Sequence, residues 1–340
     1  MLAAIFGCEG PRLSDAERAF FSETQPWGFI VFLRNIENPD QLRTLTDELR
    51  ACVDHDDVPI LIDQEGGRVA RLRPPHWRKY PPGEAFADLA TKDIEKAEEA
   101  ARLAARLIAA ELNDVGVNVD CLPILDVRQP DVHDVIGDRA YGNDAKTVTR
   151  IGMAVAEGLM AGGVLPIIKH IPGHGRAKVD SHLELPVADV DVETLRDVDF
   201  APFKDLSHLP MAMTAHLLYP AIDPVKPATT SEKLISEVIR GQIGFDGLLM
   251  TDDLSMEALG GSIEDRTRES LQAGCDMILH CNGRMEEMQA VVRAAIPLGG
   301  RALERAKVAT AYLEERPREE LDADEAIGRL AGLGISVEKV

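Results

Sequence analysis

Short apolar runs recur along the chain and are separated by longer segments in which apolar residues return with helical period. Runs of this kind, bounded by turn residues, are typical of buried β-strands. They occupy residues 2–7, 28–33, 58–63, 117–127, 164–170, 211–216, 247–253 and 275–280. The periodic segments predict amphipathic helices at residues 39–52, 94–115, 146–161, 231–243, 263–273 and 285–295.

The alternation of strands and helices favours an α/β fold built from parallel βαβ units, and eight such units close naturally into a barrel. An open, doubly wound sheet is the alternative, but it usually carries a glycine-rich phosphate loop. The chain contains neither GxGxxG nor GxxxxGK[ST]. We therefore predict a (β/α)8 TIM barrel forming a single domain over residues 1–340, with a charged helical tail at about 317–340 packed on it.

Ionisable residues close several of the predicted strands on the same side. They are Asp63, Lys169, His170, His216, Asp252 and Asp253. For one such residue, a solvated strand end is the ordinary explanation. In a barrel, however, the chemistry lies at the carboxyl ends of the strands, so the repetition predicts an active site there.

Composition and charge restrict the partners of the chain. Of its residues 45% are apolar and 4% aromatic, and 37 Lys and Arg stand against 58 Asp and Glu, for a net charge of −21. A field of this sign disfavours nonspecific binding to nucleic acid or to an anionic membrane surface. We expect a small-molecule substrate, no nucleic-acid or membrane partner, and a monomer.

The cysteines and the N-terminal segment bear on the compartment. The five cysteines are odd in number and form no CxxC pair, which is typical of reduced, buried thiols. The first residues lack the basic and long apolar regions of a secretory signal, and no apolar segment is long enough to span a bilayer. These features favour the cytoplasm.

The segment KHIPGHGRAKVDSH, residues 169–182, holds three of the nine histidines. His170 and His174 are four residues apart, as in a helical zinc pair, but Pro172 and Gly173 between them break a helix. No neighbouring Glu completes an HExxH motif. We therefore expect neither a metal nor another cofactor.

Asp180 and His182 in the same segment can form a carboxylate–histidine pair, because residues two apart in an extended chain point to the same side. Such a carboxylate orients the imidazole and adjusts its pKa toward neutrality, as general acid–base chemistry requires. A loop-stabilising hydrogen bond explains the pair equally well. Asp252 supplies a carboxylate on a rigid strand, and a carboxylate opposite a proton donor is the apparatus of glycoside hydrolysis. Periodicity alone does not decide between Asp252 and Asp253, although Asp253 suits a structural anchor.

Several motifs together resemble family 3 glycoside hydrolases, and more narrowly their short, NagZ-type bacterial β-N-acetylglucosaminidases. The motifs are KHIPGHG (169–175), DSH (180–182), TDDLSMEAL (251–259), LIDQEGGRVARL (61–72), VIGDRAYG (135–142) and MTAHLLYPAID (213–223). The long histidine segment is the most specific of them. Two departures are Ile171, where Phe is common, and Arg176-Ala177-Lys178, where an Asp/Asn-Thr segment is common.

The resemblance implies a role for each matching position. Asp252 would be the nucleophile, and His182 the general acid/base with Asp180 as its partner. The sugar-binding positions would be Asp63, Arg71, Arg139, Lys169 and His170. Carboxylates can accept hydrogen bonds from neighbouring sugar hydroxyls, and Arg and Lys can donate to hydroxyl and acetamido oxygens.

The function implied is a retaining exo-β-N-acetylglucosaminidase. It would release terminal GlcNAc from muropeptide sugars such as GlcNAc-1,6-anhydroMurNAc during peptidoglycan recycling. Three alternatives remain open at this point: a GlcNAc phosphorylase of the same family, a metal-dependent hydrolase using the histidine cluster, and a sugar-binding protein without activity.

Overall fold

In the computed structural model, eight parallel strands close a barrel in chain order. The structure describes residues 1–130, 135–177, 185–315 and 318–338. The strands are β1 (Leu2–Gly7), β2 (Pro26–Val31), β3 (Ile60–Ile62), β4 (Val119–Asp120), β5 (Leu165–Ile171), β6 (Met211–Thr214), β7 (Leu248–Asp253) and β8 (Met277–His280). The predicted (β/α)8 barrel is confirmed.

Helices surround the barrel. They are α1 (Asp15–Thr24), α2 (Pro39–Ala51), α3 (Gly83–Ala90), α4 (Ile94–Asp114), α5 (Ala145–Ala161), α6 (Val192–Thr194), α7 (Ala201–Asp205), α8 (Ile263–Ala273), α9 (Met285–Ala294), α10 (Gly300–Glu315) and α11 (Ala323–Gly332). The predicted segments match them closely, except that 231–243 contains π-helical turns over Leu234–Gln242. Asn38, Asp93 and Asp144 cap α2, α4 and α5, since each side chain accepts a backbone N–H of the first helical turn.

Strand β4 is much shorter than the predicted run of residues 117–127. Pro123 has no N–H to donate, so regular pairing stops early. The extended chain nevertheless stays against β5, because Lys169 N donates to Pro123 O at 3.1 Å and Leu125 N donates to Lys169 O at 2.7 Å. This connection carries Asp126 to the carboxyl end of the barrel.

Side chains fill the barrel interior in alternation along each strand. On β7, Leu248 and Met250 belong to the interior cluster, whereas Leu249 packs toward the helices. Helix α10 closes the amino-terminal end, where Ala306 and Ala309 pack against the same interior cluster. The barrel is therefore a packed core, and an opening at its mouth does not continue through it.

The C-terminal segment contributes α11, which packs on α4. Arg329 forms an ion pair with Glu99 of α4, and Lys79 N donates to Glu338 O at 2.8 Å. Among the described residues, no helix has both the length and the apolar character that crossing a bilayer requires.

Candidate active site

A cavity of about 170 Å³ opens at the carboxyl ends of the strands. The sequence-predicted residues that line it are Asp63, Arg71, Arg139, Lys169, His170 and Asp252. They are far apart in the sequence, and the closure of the barrel brings them together. The predicted pair Asp180 and His182 lies outside the described residues.

One wall of the cavity is a network of carboxylates and cations. Asp63 accepts from Lys169 Nζ at 2.8 Å through Oδ1 and from Arg71 Nη2 at 2.9 Å through Oδ2. Glu65 lies 2.8 Å from Lys169 Nζ and accepts two hydrogen bonds of 2.8 Å from the Arg139 guanidinium. Lys169 thus joins two carboxylates, each of which also holds an arginine, and charge-assisted contacts of this kind fix side chains firmly.

The network keeps its members charged although they are buried. Burial on its own raises the pKa of Asp63 and Glu65, but the neighbouring cations outweigh it. The pKa of Asp63 falls well below its usual value, and that of Glu65 falls to about 2. Burial likewise disfavours the charged form of Lys169, yet the two carboxylates raise its pKa above the ordinary value. The wall presents fixed acceptors and donors at neutral pH.

Glu65 was not among the predicted site residues. The available signal was its position two residues after Asp63, which puts both carboxylates on one side of an extended chain. The turn that follows is held by Gln64, whose Oε1 accepts from Arg71 N at 2.9 Å. Gly66 has a φ of 94°, and a Cβ there would lie 2.2 Å from Pro81 O, so only glycine fits this turn.

His170 is oriented by a second unpredicted residue, Asp126, whose side chain is fully buried. Asp126 Oδ2 lies 2.6 Å from His170 Nδ1, and Oδ1 accepts from the backbone N–H of His170 at 3.2 Å and of His174 at 2.6 Å. Burial acts to raise the pKa of Asp126, but His170 and these hydrogen bonds lower it to about 2. The ionised carboxylate accepts the Nδ1–H of His170 and leaves Nε2 available to a ligand.

His174 shapes the same loop. Burial and the neighbouring His170 lower the pKa of His174 to about 4, so its ring is neutral at pH 7. The two imidazole centroids lie 5.5 Å apart. Within the part of the chain that the structure describes, no group of three or more His, Cys, Asp or Glu is arranged to hold a metal ion. His170 and His174 are both held by Asp126.

The adjacent residues Asp252 and Asp253 have different surroundings. Asp252 continues the inward row of Leu248 and Met250, and its Oδ1 accepts from the N–H of Asp253 at 2.8 Å. Burial acts to raise the pKa of Asp252, but the imidazoles of His216 and His170 and this N–H lower it overall, so the carboxylate is ionised. Its other oxygen, Oδ2, accepts no hydrogen bond from the described residues.

The side chain of Asp253 is occupied by anchoring contacts. Its Oδ1 accepts from the N–H of Ser255 at 3.0 Å and of Cys281 at 3.1 Å, and its Oδ2 accepts from Ser255 Oγ at 2.6 Å. These bonds join the end of β7 to the end of β8. The contacts fit the anchor interpretation of Asp253, which lines the same cavity as Asp252 but has both carboxylate oxygens engaged.

Arg176, one of the residues at which the sequence departs from the common family pattern, is paired with a buried carboxylate. Arg176 Nε donates to Asp199 Oδ2 at 2.7 Å, and Asp199 is almost completely buried. The preceding turn is held by Tyr219, whose hydroxyl donates to Gly173 O at 2.7 Å. Burial raises the pKa of Asp199 to about 6, although Arg176 opposes the shift. This ion pair fixes the loop just before the segment that contains Asp180 and His182.

Comparison with known proteins decides the family. Residues 3–309 match the family described as Glycosyl hydrolase family 3 N terminal domain. The chain belongs to glycosyl hydrolase family 3. It is therefore a glycoside hydrolase, and the site at the barrel mouth is its candidate active site.

Named relatives lie within this family. A beta-hexosaminidase of Alkalilimnicola ehrlichii is 40% identical over 293 residues, which are 85% of this chain and 83% of the relative. A beta-hexosaminidase of Neisseria gonorrhoeae is 38% identical over 276 residues, covering 80% of this chain and 75% of the relative. The crystal structure of NagZ from Neisseria gonorrhoeae with N-trifluoroacetyl-D-glucosamine superposes with a TM-score of 0.86 at 31% identity, over 97% of each chain. The predicted resemblance to NagZ-type enzymes is confirmed.

Proposed function

We propose that the chain is a retaining exo-β-N-acetylglucosaminidase that releases terminal GlcNAc from muropeptide sugars such as GlcNAc-1,6-anhydroMurNAc. The observation that carries the proposal is the ionised Asp252, with one oxygen unpaired by the described residues, in a cavity walled by Asp63, Glu65 and their cations. Ligand pockets usually measure roughly 300 to 1,000 Å³. A cavity of about 170 Å³ suits one terminal sugar ring better than the middle of a long chain.

In the proposed reaction, Asp63, Lys169, Arg71 and Arg139 hold the hydroxyl and acetamido groups of the terminal sugar. Asp252 attacks the anomeric carbon, and His182, oriented by Asp180, donates a proton to the leaving glycosidic oxygen. His182 then removes a proton from water, which displaces Asp252 from the glycosyl ester. Two inversions at the anomeric carbon give net retention.

The choice of GlcNAc rests on the names of the relatives and on the ligand of the gonococcal NagZ structure. Peptidoglycan recycling, a cytoplasmic location, a single catalytic domain and a monomeric state belong to the same proposal. The five cysteines, which are all buried and free of disulfides, support a reducing compartment.

The proposal can be tested with purified protein and GlcNAc-1,6-anhydroMurNAc. We expect release of β-GlcNAc, detected by NMR before mutarotation, and the same rate with excess chelator. The nitrophenyl β-glucoside and β-xyloside should react much more slowly than the β-GlcNAc analogue. A GlcNAc 1-phosphate product in phosphate buffer would establish the phosphorylase alternative, and loss of activity with chelator would establish a metal-dependent reaction.

The role of His182 can be tested through the leaving group. His182→Ala should slow the natural disaccharide roughly 10² to 10⁴-fold, because its alkoxide needs protonation. An activated nitrophenolate leaves without a proton, so that substrate should lose less in the glycosylation step. Asp180→Asn should give a milder version of the same pattern. Equal losses with both substrates would show that His182 does not carry the proton.

A further inference from the structure

A buried chain of hydrogen bonds lies behind Asp252, outside the cavity wall. Thr214 Oγ1 lies 2.8 Å from Thr229 Oγ1, which lies 2.7 Å from His216 Nδ1. His216 Nε2 lies 3.0 Å from the carbonyl oxygen of Asp253. Thr214, Thr229 and His216 are completely buried, and none of them lines the cavity.

The donor and the acceptor of each hydrogen bond in this series follow from the last acceptor, the carbonyl oxygen of Asp253. A carbonyl oxygen can only accept, so Nε2 of His216 carries a proton. Burial lowers the pKa of His216 below its ordinary value although Asp252 and Asp253 oppose the shift, so at pH 7 the neutral ring, with Nδ1 unprotonated, predominates. Nδ1 therefore accepts from the hydroxyl of Thr229, and Thr214 donates to Thr229. The competing acceptor for the Thr229 hydroxyl, Ala215 O, is farther away at 3.2 Å.

The carbonyl at the end of the chain belongs to the turn that presents Asp252. The N–H of Asp253 holds Asp252 Oδ1, and the Asp253 carboxylate is bound to Ser255 and to the N–H of Cys281 on the β8 side. His216, which follows β6, holds the carbonyl of Asp253 from the opposite side. The residue next to the nucleophile is thus fixed by contacts to both neighbouring strands of the barrel.

We propose that His216, held in the Nε2–H form between the carbonyl of Asp253 and the hydroxyl of Thr229, is a positioning residue for the nucleophile Asp252 and acts through that carbonyl. The inference rests on the proposed function, since it takes Asp252 as the reacting group. His216 contacts no sugar in this arrangement. The sugar-binding wall comes from β3, β5 and the loop around Arg139, so loss of the positioning should lower kcat and leave KM little changed.

Thr229 offers the sharpest test because Val and Thr have nearly the same shape. Thr229→Val removes the hydroxyl that donates to Nδ1 and holds the ring in place, and we expect kcat for nitrophenyl β-GlcNAc to fall about tenfold. Thr229→Ser retains the hydroxyl and should recover most of the loss. The rate at which a fluorosugar labels Asp252 should fall and recover in parallel.

Substitutions of His216 itself extend the series. His216→Leu should lower kcat roughly 100-fold, since a small misplacement of a reacting group has effects of this size. His216→Gln keeps an N–H donor and should therefore retain a higher kcat than His216→Leu. His280→Leu is the matched control: His280 is equally buried, but it ends β8 and its ring lies 6.4 Å from that of Phe6, among residues packed toward the helices. It should lower the melting temperature and leave kcat near that of the wild type.

A ¹⁵N spectrum of histidine-labelled protein tests the tautomer without any substrate. We expect His216 in the neutral Nε2–H form at pH 7.5 in the wild type and a change of its shifts in Thr229→Val. A neutral ring in the Nδ1–H form, a protonated ring at this pH, or equal kcat for wild type and Thr229→Val would overturn the inference. If the wild type does not hydrolyse GlcNAc glycosides, the proposed function fails instead. The kinetic series is then repeated with the glycoside that the enzyme does cleave, and the spectrum decides the tautomer independently.

Discussion

The two ends of the barrel both contain buried ion pairs, but the buried carboxylates of the two ends differ in what else they contact. At the amino-terminal end, Asp276 accepts from Arg240 at 2.7 Å, from Arg305 at 3.0 Å and from the N–H of Leu249 at 3.0 Å. Arg240 also donates to the carbonyl oxygens of Phe245 and Gly247. The charges at this end are bound to main-chain and side-chain groups of the protein.

At the mouth, the cation–carboxylate network instead forms the wall of an open cavity. Asp63 and Glu65 line this space, and Asp252 has an oxygen that accepts no hydrogen bond from the described residues. A buried ion pair by itself is therefore weak support for a functional site. The distinguishing property is hydrogen-bonding capacity left over beside a cavity, and the following predictions test that distinction.

The largest effect should come from Asp252. We expect Asp252→Ala to lower kcat by roughly 10⁴-fold or more, as loss of a covalent nucleophile does. Asp253→Ala should act mainly through stability, because it loses the bonds to Ser255 and Cys281, with a smaller fall in kcat because those bonds also hold the turn beside Asp252. Trapping with a fluorosugar and peptide mass spectrometry checks the assignment, and a label on Asp253 would reverse it.

The next effect should be one of stability, at the opposite end of the barrel. Asp276→Asn leaves Arg240 and Arg305 without a buried counter-charge and should lower the free energy of unfolding by about 3 to 5 kcal/mol. Asp246→Asn is the control. The Asp246 side chain is 61% exposed, so removing its charge should lower the free energy of unfolding much less. Urea denaturation measures both. A large fall in kcat for folded Asp276→Asn would break the distinction between the two ends.

A smaller effect on the kinetics, in addition to the loss of stability that removing a buried counter-charge causes, is expected at Glu65. Glu65→Gln preserves shape but weakens the hold on Arg139 and Lys169, so kcat/KM should fall roughly 10- to 100-fold. Glu111→Gln removes a comparably buried partner from Arg78, away from the cavity, and should leave kcat/KM near that of the wild type. Equal kinetics for the two variants would mean that Glu65 is only structural.

The smallest effect concerns pH and the Arg176–Asp199 pair. Because the pKa of Asp199 is raised to about 6, the folded chain binds this proton more tightly than the unfolded chain. The resulting stabilisation is full below about pH 4 and is lost as the pH rises to about 6. Asp199→Asn should flatten this part of the stability profile in urea titrations between pH 4 and 7. An unchanged slope would contradict the assignment.

Sequence periodicity predicted the barrel and most helix bounds because both depend on local alternation of apolar residues. It overextended β4, where the missing N–H of Pro123 ends regular pairing. It did not separate Asp252 from Asp253, since that choice depends on which of Leu248 and Leu249 faces the interior. Inward and outward rows become distinguishable only when the sheet closes.

The candidate site was predicted in part. The six residues that the structure describes share one cavity, but Glu65 and Asp126 were missed because their partners are distant in sequence. The spacing of Glu65 from Asp63 indicated that both carboxylates lie on one side of the chain, but nothing local identifies Arg139 or His170 as the partners met across the barrel. Asp180 and His182 stay predictions, as they lie outside the described residues.

The plug that α10 forms at the amino-terminal end of the barrel has a kinetic consequence. A molecule bound at the bottom of a one-ended cavity must depart through the opening by which it entered. After cleavage, the leaving group lies nearer the opening and diffuses away first, whereas the released sugar departs last and occupies the place of the next substrate. We therefore expect free GlcNAc to inhibit competitively, so that the sugar liberated by the enzyme slows its own production.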